Sequence, residues 1–323
     1  MRKLRLKTRL TALLLALCLL LSGCGSSAKP WEGGVPQRQP TPSASAAEPQ
    51  RGEGPSYEAP PLATAAFHPD LAEGSAQALI DLSAVDEGYV AVSAISDKRL
   101  KFQVRKDEFT YNYDLASDGT HSIFPLQCGD GLYTFRVMEN IAESKYAPLY
   151  STECEVTLRD EFQPFLRPSD YAAYDESSEC VRKTAELAAA CSSKLEVVSA
   201  VYAYVCEHIQ YDHEKAATVQ SGYLPKVDET MRSGKGICFD YAALAAAMLR
   251  SQGIPTKIIF GYVAPDNLYH AWNMFYTEES GWVTVSFEVS DNSWNRIDLT
   301  FSANGADDDF IGDGSHYTDV YFY

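Results

Sequence analysis

The pattern of apolar positions divides the chain into a strand-rich stretch and a later stretch that begins with helices. Between about Leu79 and Leu158, short apolar runs alternate with turn residues, which is typical of antiparallel strands. The runs that we interpret as strands include Tyr89–Val92, Lys101–Val104, Phe109–Tyr113, Leu132–Val137 and Cys154–Leu158. Six or seven strands in about 80 residues predict an all-β sandwich of immunoglobulin-like size. We expect this sandwich to act as a spacer or a docking module.

Helical spacing of apolar residues follows in Ser177–Cys191 and in Leu195–Ile209. A third helix is predicted from Cys238 to Arg250, where Ala and Leu dominate. The pattern then returns to strands, which we place at Lys257–Val263, Ala271–Tyr276, Trp282–Val289, Trp294–Leu299 and Asp319–Tyr323. Helices followed by an antiparallel sheet predict an α+β domain.

The first residues have the features of a targeting segment. Basic residues precede the apolar run Leu13–Leu21, which is about half of the ~20 residues that a membrane-spanning helix needs. The ending Leu21-Ser22-Gly23-Cys24 resembles the lipobox of bacterial lipoproteins. This resemblance implies that Cys24 is lipidated and becomes the mature N-terminus, and two acyl chains give stable attachment. Secretion with cleavage at a small residue is the alternative.

The stretch after Cys24 is rich in Pro, Ser, Ala, Gly and Gln, so it cannot bury enough apolar surface to fold. We therefore predict a signal peptide at 1–23, a disordered tether at 24–62, the β-sandwich at 63–160 and the α+β domain at 161–323. The expected location is extracytoplasmic, on a bacterial cell membrane, through a lipid anchor at Cys24.

Composition and charge exclude several classes of protein. The chain has 323 residues, of which 46% are hydrophobic, so it is not a wholly disordered polymer. Its formal net charge of −17 repels phosphate backbones, which argues against nucleic-acid binding. We expect no cofactor and no metal site, because Cys-x-x-Cys pairs and phosphate-loop spacing are lacking. The acidic cluster Asp307–Asp309 with Asp313 is interpreted as a solvated loop.

Cys238 and His270 are the candidates for nucleophilic chemistry. Gly234 and Gly236 lead into the predicted helix, so Cys238 lies on its first turn. Unpaired backbone N–H groups there favour a thiolate and can hold a developing oxyanion. His270 begins a strand and is the best candidate for the base. The alternatives are a buried structural thiol and a structural histidine.

Several motifs agree in order and spacing with a known family. The segments are Gly234-Lys235-Gly236-Ile237-Cys238-x-Asp240-Tyr241-Ala242, Leu249-Arg250-x-x-Gly253-Ile254-Pro255, Gly261-Tyr262 and His270-Ala271-Trp272-Asn273. Together they resemble the transglutaminase-like core, over roughly Val197 to Phe301. The resemblance implies a papain-related Cys-His-Asp fold in which Cys238 is the nucleophile and His270 its base. Ile209–Asp212 also resembles the segment that precedes the cysteine in this family. Some members of the family have lost activity.

The third catalytic position has two candidates. The family's frame, a Trp followed four residues later by an acid, starts here at both Trp282 and Trp294. The first frame ends in Ser286 and the second in Asp298, and only a carboxylate orients an imidazole and stabilises its cation. We therefore choose Asp298. This choice requires the strand at 294–299 to pair directly with the strand at 271–276. Residues 282–289 lie between these strands in sequence but would not lie between them in the sheet.

The expected function is that of a surface-anchored cysteine acyl-transfer enzyme, a peptidase or transamidase that forms a thioester from a peptide or side-chain amide. Its partner would be a protein or peptide substrate, with cell-wall peptide as one candidate, and hydrolysis is slightly favoured over crosslinking. The alternative is an inactive binding or scaffold lipoprotein of the cell envelope. A disulfide between Cys128 and Cys154 is less expected than two buried thiols.

Overall fold

The computed structural model describes residues 55–283, 287–304 and 314–323. All of them belong to one compact unit that extends from Gly33 to Tyr323. Cys24, the predicted signal peptide and most of the predicted tether lie outside the described residues, as do Ser286 and the acidic cluster Asp307–Asp309 with Asp313. The expectations for these residues remain predictions.

Eight strands make up the first part of the described chain. Their bounds are β1 Glu73–Gly74, β2 Ala78–Asp81, β3 Tyr89–Ile95, β4 Leu100–Lys106, β5 Phe109–Leu115, β6 Asp118–Pro125, β7 Gly131–Ala142 and β8 Lys145–Val156. They form two four-stranded antiparallel sheets, in the orders β1-β2-β3-β6 and β5-β4-β7-β8. The predicted strands are therefore present, while the immunoglobulin-like assignment stays a prediction.

The two sheets share one apolar core. Phe102 of β4 stacks on Phe124 of β6 at a centroid distance of 4.9 Å, and both side chains are buried. Alternation along β4 produces this core, because Leu100, Phe102 and Val104 are buried and the residues between them are more exposed. The strand-rich part is thus a two-layered β structure.

The second part contains all of the described α-helices. The helices are α1 Glu179–Ala188, α2 Lys194–His208, α3 His213–Thr218, α4 Val227–Ser233, α5 Cys238–Arg250 and α6 Leu299–Ala303. The strands are β9 Gln210–Tyr211, β10 Lys235–Gly236, β11 Thr256–Val263, β12 Leu268–Thr277, β13 Gly281–Val283, β14 Phe287–Val289, β15 Ser293–Ile297 and β16 Tyr317–Phe322. An antiparallel sheet has the order β15-β12-β11-β16, and β13 pairs only with β14. The predicted α+β arrangement of helices and an antiparallel sheet is present.

Helix α5 is the centre of this part of the molecule. Its residues from Phe239 to Arg250 are all buried, which is expected of a helix whose central residues, from Ala242 to Leu249, are all apolar. Five of its positions are alanine, at 242, 243, 245, 246 and 247, and such small side chains let neighbouring elements approach closely. The helix contacts α1, α2 and α4 on one side and strands β11 and β12 on the other. Its first residue, Cys238, is therefore held by a rigid core.

The observed elements differ from the predicted ones in several places. The first helix ends at Ala188, so Cys191 lies beyond it. The predicted strand Trp282–Val289 is instead the hairpin β13–β14. Helices α3, α4 and α6 are not evident from apolar spacing, because each has only five to seven residues. Cys128 and Cys154 are free thiols, as expected, and do not form a disulfide. Both are half-buried, however, so the expectation that both thiols are buried is wrong.

Contacts at the end of the tether and at the C-terminal strand join the two parts. The residues after Pro55, which the sequence assigns to the tether, contact the helical part: Tyr57 N–H donates to Cys191 O at 2.7 Å. Tyr171 and Tyr323 stack at a centroid distance of 4.0 Å, and Tyr323 also belongs to the core of the two N-terminal sheets. Within the described residues, no helix combines the length and apolar character needed to span a bilayer.

Candidate active site

Cys238 lies at the N-terminus of α5, and its side chain is half-buried. The short strand β10, which immediately precedes it, pairs in parallel with β9. Backbone bonds from Gln210 N to Gly234 O and from Asp212 N to Gly236 O, both 2.9 Å, fix this pairing. The segment that the sequence singles out ahead of the cysteine is therefore in direct contact with the turn that leads to it.

Asp240 anchors the first turn of α5. Its carboxylate is fully buried and accepts a hydrogen bond from the Ile237 backbone N–H at 2.8 Å. The same side chain forms an ion pair with Lys215 Nζ at 2.7 Å and accepts a hydrogen bond from the Tyr223 hydroxyl. A carboxylate on the first turn of a helix stabilises the unpaired N–H groups there. This cluster holds the backbone on which Cys238 is placed.

His270 lies near the start of β12 and is almost completely buried, with 3% of its surface exposed. Its Nε2 atom is 2.9 Å from Asp298 Oδ2, and its ring stacks on Phe301 at a centroid distance of 4.4 Å. The Cys238 side chain is close enough to the same ring to raise its pKa. Since Nε2 contacts Asp298, Nδ1 is the ring nitrogen that remains for a second partner.

The electrostatic environment of His270 favours its protonated form. Burial lowers the pKa of this imidazole, but the charge of Asp298 and the hydrogen bond to it act in the opposite direction. The Cys238 side chain adds to that effect, and the pKa of His270 is raised well above its ordinary value. The ring is therefore suited to exist as an imidazolium beside the sulfur at neutral pH.

Asp298 reaches His270 because of the way the sheet is paired. Strand β15 pairs antiparallel with β12, with Ile297 opposite Asn273, so the residue after β15 lies beside the beginning of β12. The direct pairing of these two strands, which the choice of Asp298 requires, is thus confirmed. The hairpin β13–β14 lies between them in sequence but forms a separate pair of strands. Asp298 also forms the N-cap of α6, where its Oδ1 accepts a hydrogen bond from Phe301 N–H at 3.1 Å.

Tyr317 is a neighbour of the site that the sequence reasoning missed. Its hydroxyl donates to Asp298 Oδ2 at 3.0 Å, and both side chains are buried. The tyrosine lies on β16, a strand predicted only from Asp319 onward. A run of aromatic residues near the C-terminus was the available signal, but it does not reveal which residue the strand would contact.

The surroundings of the site also include a cleft and several charged side chains. A cleft of 570 Å³ is lined by Asp212, Lys215, Tyr223 and Lys235, among others, and thus borders the Asp240 cluster. No group of three or more His, Cys, Asp or Glu side chains with the geometry to hold a metal ion occurs in the described ranges.

Part of the chain matches a known family. Residues 182–287 match the family model of the transglutaminase-like superfamily. Cys238 and His270 lie inside the matched segment, whereas Asp298 lies beyond its end. The match covers the region from α1 to β13, which agrees with the resemblance inferred from the sequence motifs. The lipoprotein assignment is not addressed by it.

Individual proteins with similar sequences or structures carry related names. The mouse kyphoscoliosis peptidase is 29% identical over 125 residues, which are 36% of this chain and 17% of that protein. A candidate cysteine protease from Cytophaga hutchinsonii has a TM-score of 0.38 at 14% identity, covering 72% of this chain and 73% of its own. Red sea bream transglutaminase has a TM-score of 0.32 at 12% identity, covering 71% and 49%.

Proposed function

We propose that the protein is a cysteine acyl-transfer enzyme in which Cys238 is the nucleophile, His270 the acid and base, and Asp298 the orienting carboxylate. One observation carries this proposal. A half-buried thiol at a helix N-terminus neighbours a buried imidazole whose Nε2 atom is 2.9 Å from a buried carboxylate. This combination supplies a nucleophile, a proton carrier and its orienting group in one place.

The first half of the reaction would form a thioester. The Cys238 thiolate attacks the carbonyl carbon of a peptide or side-chain amide, forming a C–S bond and a negatively charged oxygen. Backbone N–H groups on the first turn of α5 would stabilise that oxygen, since a helix N-terminus leaves them without helical partners. The His270 imidazolium then gives its proton to the amide nitrogen as the C–N bond breaks, and an amine or ammonia leaves.

The second half would release the acyl group. Neutral His270 takes a proton from water or from an incoming amine, whose oxygen or nitrogen attacks the thioester carbonyl. The C–S bond breaks and the thiolate returns beside an imidazolium. Water gives hydrolysis and an amine gives transamidation. We favour hydrolysis of a peptide substrate, because the sequence contains no dedicated amine site, and cell-wall peptide is one candidate.

The proposed location is the outer face of a bacterial cell membrane, with a lipid on Cys24. The support for it is the Leu21-Ser22-Gly23-Cys24 ending after an apolar run. Growth with an alkyne-tagged fatty acid should label the protein, and Cys24→Ser should abolish the label. Equal labelling of both proteins, or of neither, would contradict the lipid anchor without affecting the catalytic proposal.

Selective alkylation tests the catalytic proposal. Iodoacetamide near neutral pH should modify Cys238 much faster than Cys128, because burial raises the pKa of the Cys128 thiol to about 11. His270→Ala should slow the modification of Cys238, whereas His208→Ala, on the exposed end of α2, should leave it unchanged. Peptide mapping by mass spectrometry gives the rate for each cysteine. Slow modification of Cys238 that is insensitive to His270 would favour the alternative of a scaffold protein.

A further inference from the structure

Three hydrogen-bond donors converge on the Asp298 carboxylate. His270 Nε2 and the Tyr317 hydroxyl both contact Oδ2, at 2.9 and 3.0 Å, while Phe301 N–H contacts Oδ1 at 3.1 Å. Asp298 is 1% exposed, so the protein supplies these partners in place of water. Tyr317 is the donor that comes from a distant element, β16, at the opposite edge of the sheet from β15.

Tyr317 is itself held firmly by its neighbours. Its ring packs edge-on against Trp272 with a centroid distance of 4.9 Å. The Arg296 guanidinium lies over the same ring at 4.8 Å, a distance typical of a cation–π contact. The hydroxyl therefore has a defined direction, and it is aimed at the same carboxylate oxygen that contacts the imidazole.

We propose that Tyr317 is a positioning residue of the Cys238–His270–Asp298 site, which fixes the orientation of the Asp298 carboxylate and shares its negative charge with His270. This inference rests on the proposed function for its catalytic meaning, but the interaction with His270 can be measured without any activity. An oxygen that accepts two hydrogen bonds divides its charge between them. Tyr317 thus limits how strongly Asp298 holds the proton on His270.

The charged and titratable groups around Asp298 determine which pKa values can change when the Tyr317 hydroxyl is removed. His270 faces it from β12, Tyr317 from β16 and Cys206 from α2. Arg296 acts from β15 through the tyrosine ring. Burial is the main reason why the pKa of Cys206 is raised to about 12, so this thiol stays neutral near pH 7. His270 is therefore the group whose pKa should change when the Tyr317 hydroxyl is removed.

Tyr317→Phe in the full chain tests the proposal, because it keeps the ring and removes only the hydroxyl. With histidine labelled by ¹⁵N, the NMR titration of His270 should shift upward by about half a pH unit, since Asp298 then acts on the imidazole alone. Alkylation of Cys238 should slow by about 3- to 10-fold, as expected for the loss of one hydrogen bond that orients the carboxylate. In an Asp298→Asn background, Tyr317→Phe should cause neither change.

Matched variants separate positioning from stability. Tyr133→Phe removes another buried hydroxyl, which donates to Gly129 O at 2.8 Å in the N-terminal sheets, and should leave both measurements unchanged. If Tyr317→Phe does not fold, 4-fluorophenylalanine at position 317 fills the space of the hydroxyl without donating. An unshifted or downward-shifted His270 titration overturns the role of Tyr317. Slow Cys238 alkylation in the unmodified protein, with the His270 shift present, would instead overturn the proposed function alone.

Discussion

At the scale of single residues, the charge on His270 depends on Asp298. Burial of an imidazole disfavours its cation, and only a close carboxylate reverses that preference. In this protein the two side chains are 4% and 0% exposed and 2.9 Å apart. The ion pair is therefore shielded from solvent, and it should be visible in the stability of the fold as well as in the reactivity of Cys238.

Asp298→Asn should change the pH dependence of unfolding. The pKa of His270 is raised in the folded state, so the pair contributes its full stabilisation below the ordinary histidine pKa of about 6.5 and loses it as pH rises through the raised value. The difference in unfolding free energy between the unmodified protein and Asp298→Asn should shrink steadily from about pH 6.5 upward. Urea unfolding monitored by circular dichroism measures it, and a difference that does not vary with pH would contradict the expectation.

The catalytic candidates differed in how far the sequence could locate them. Cys238 and His270 follow from local motifs and from a helix start, which are short-range signals. The choice of Asp298 also required a prediction of strand pairing, because the family's spacing offered two candidate positions, Ser286 and Asp298. Tyr317 could not be found, since its contact with Asp298 depends on β16 joining β11 at the far edge of the sheet. Side chains brought together by sheet order leave no spacing signal in the chain.

At the scale of elements, the turn before α5 depends on a glycine. A Cβ atom at Gly236 would lie 2.6 Å from Asp240 Cβ, inside the contact limit of two carbon atoms. The absence of a side chain at this position lets the Asp240 carboxylate reach the Ile237 N–H. The placement of Cys238 thus depends on two neighbouring residues that do not take part in the chemistry.

Gly236→Ala should displace the first turn of α5. Overpacking at a buried position costs about 1–3 kcal/mol, so the unfolding free energy should fall by that amount. The alkylation rate of Cys238 should fall as well, because the sulfur moves relative to His270. Both are measured on one protein preparation, by urea unfolding and by mass spectrometry.

Gly129→Ala is the control for that change. A Cβ atom there meets nothing within 4 Å, and only the left-handed backbone, with φ of 76°, opposes the substitution. Its expected cost is about 1 kcal/mol, with no effect on Cys238 alkylation. Equal alkylation rates in Gly236→Ala and in the unmodified protein would show that the close approach to Asp240 does not place the cysteine.

The longer elements were predictable from the sequence because their apolar residues repeat with the period of a helix or of a strand. The short elements have too few residues to show such a period. Helices α2 and α5 and strands β11 and β12 agree with the predicted positions to within one or two residues at most ends. Helices α3, α4 and α6 are stabilised by caps and tertiary contacts; Asp212 and Asp298, for example, cap α3 and α6. Such elements owe their existence to neighbours that the local sequence does not specify.

At the scale of the whole molecule, Arg250 connects regions that are distant in sequence. It is 1% exposed, and its guanidinium donates to three backbone carbonyls: Thr256 O at 2.9 Å, Arg167 O at 3.0 Å and Tyr323 O at 3.0 Å. Complete burial lowers the pKa of Arg250 to about 10, which still leaves it charged near pH 7. The end of α5, the connection near Arg167 and the C-terminal strand are thus joined at one side chain.

Arg250→Met should destabilise both parts of the molecule together. The variant fills similar space but leaves three carbonyls without their donor, for an expected loss of about 3–5 kcal/mol in unfolding free energy. Because Tyr323 also packs in the core of the N-terminal sheets, thermal unfolding should remain a single transition at a lower temperature. Calorimetry tests this, and the appearance of two separate transitions with only one shifted would contradict it. Arg250→Lys should recover part of the loss.

The hairpin β13–β14 has a consequence for comparing this protein with others. It interrupts the chain between the histidine strand and the aspartate strand, yet β15 pairs with β12 as though the hairpin were missing. Insertions or deletions could therefore accumulate in it without disturbing the partner of the histidine. In homologues whose hairpins differ in length, counting residues forward from the histidine would then assign the wrong acid. The carboxylate is better identified as the residue that follows the strand paired with the histidine strand.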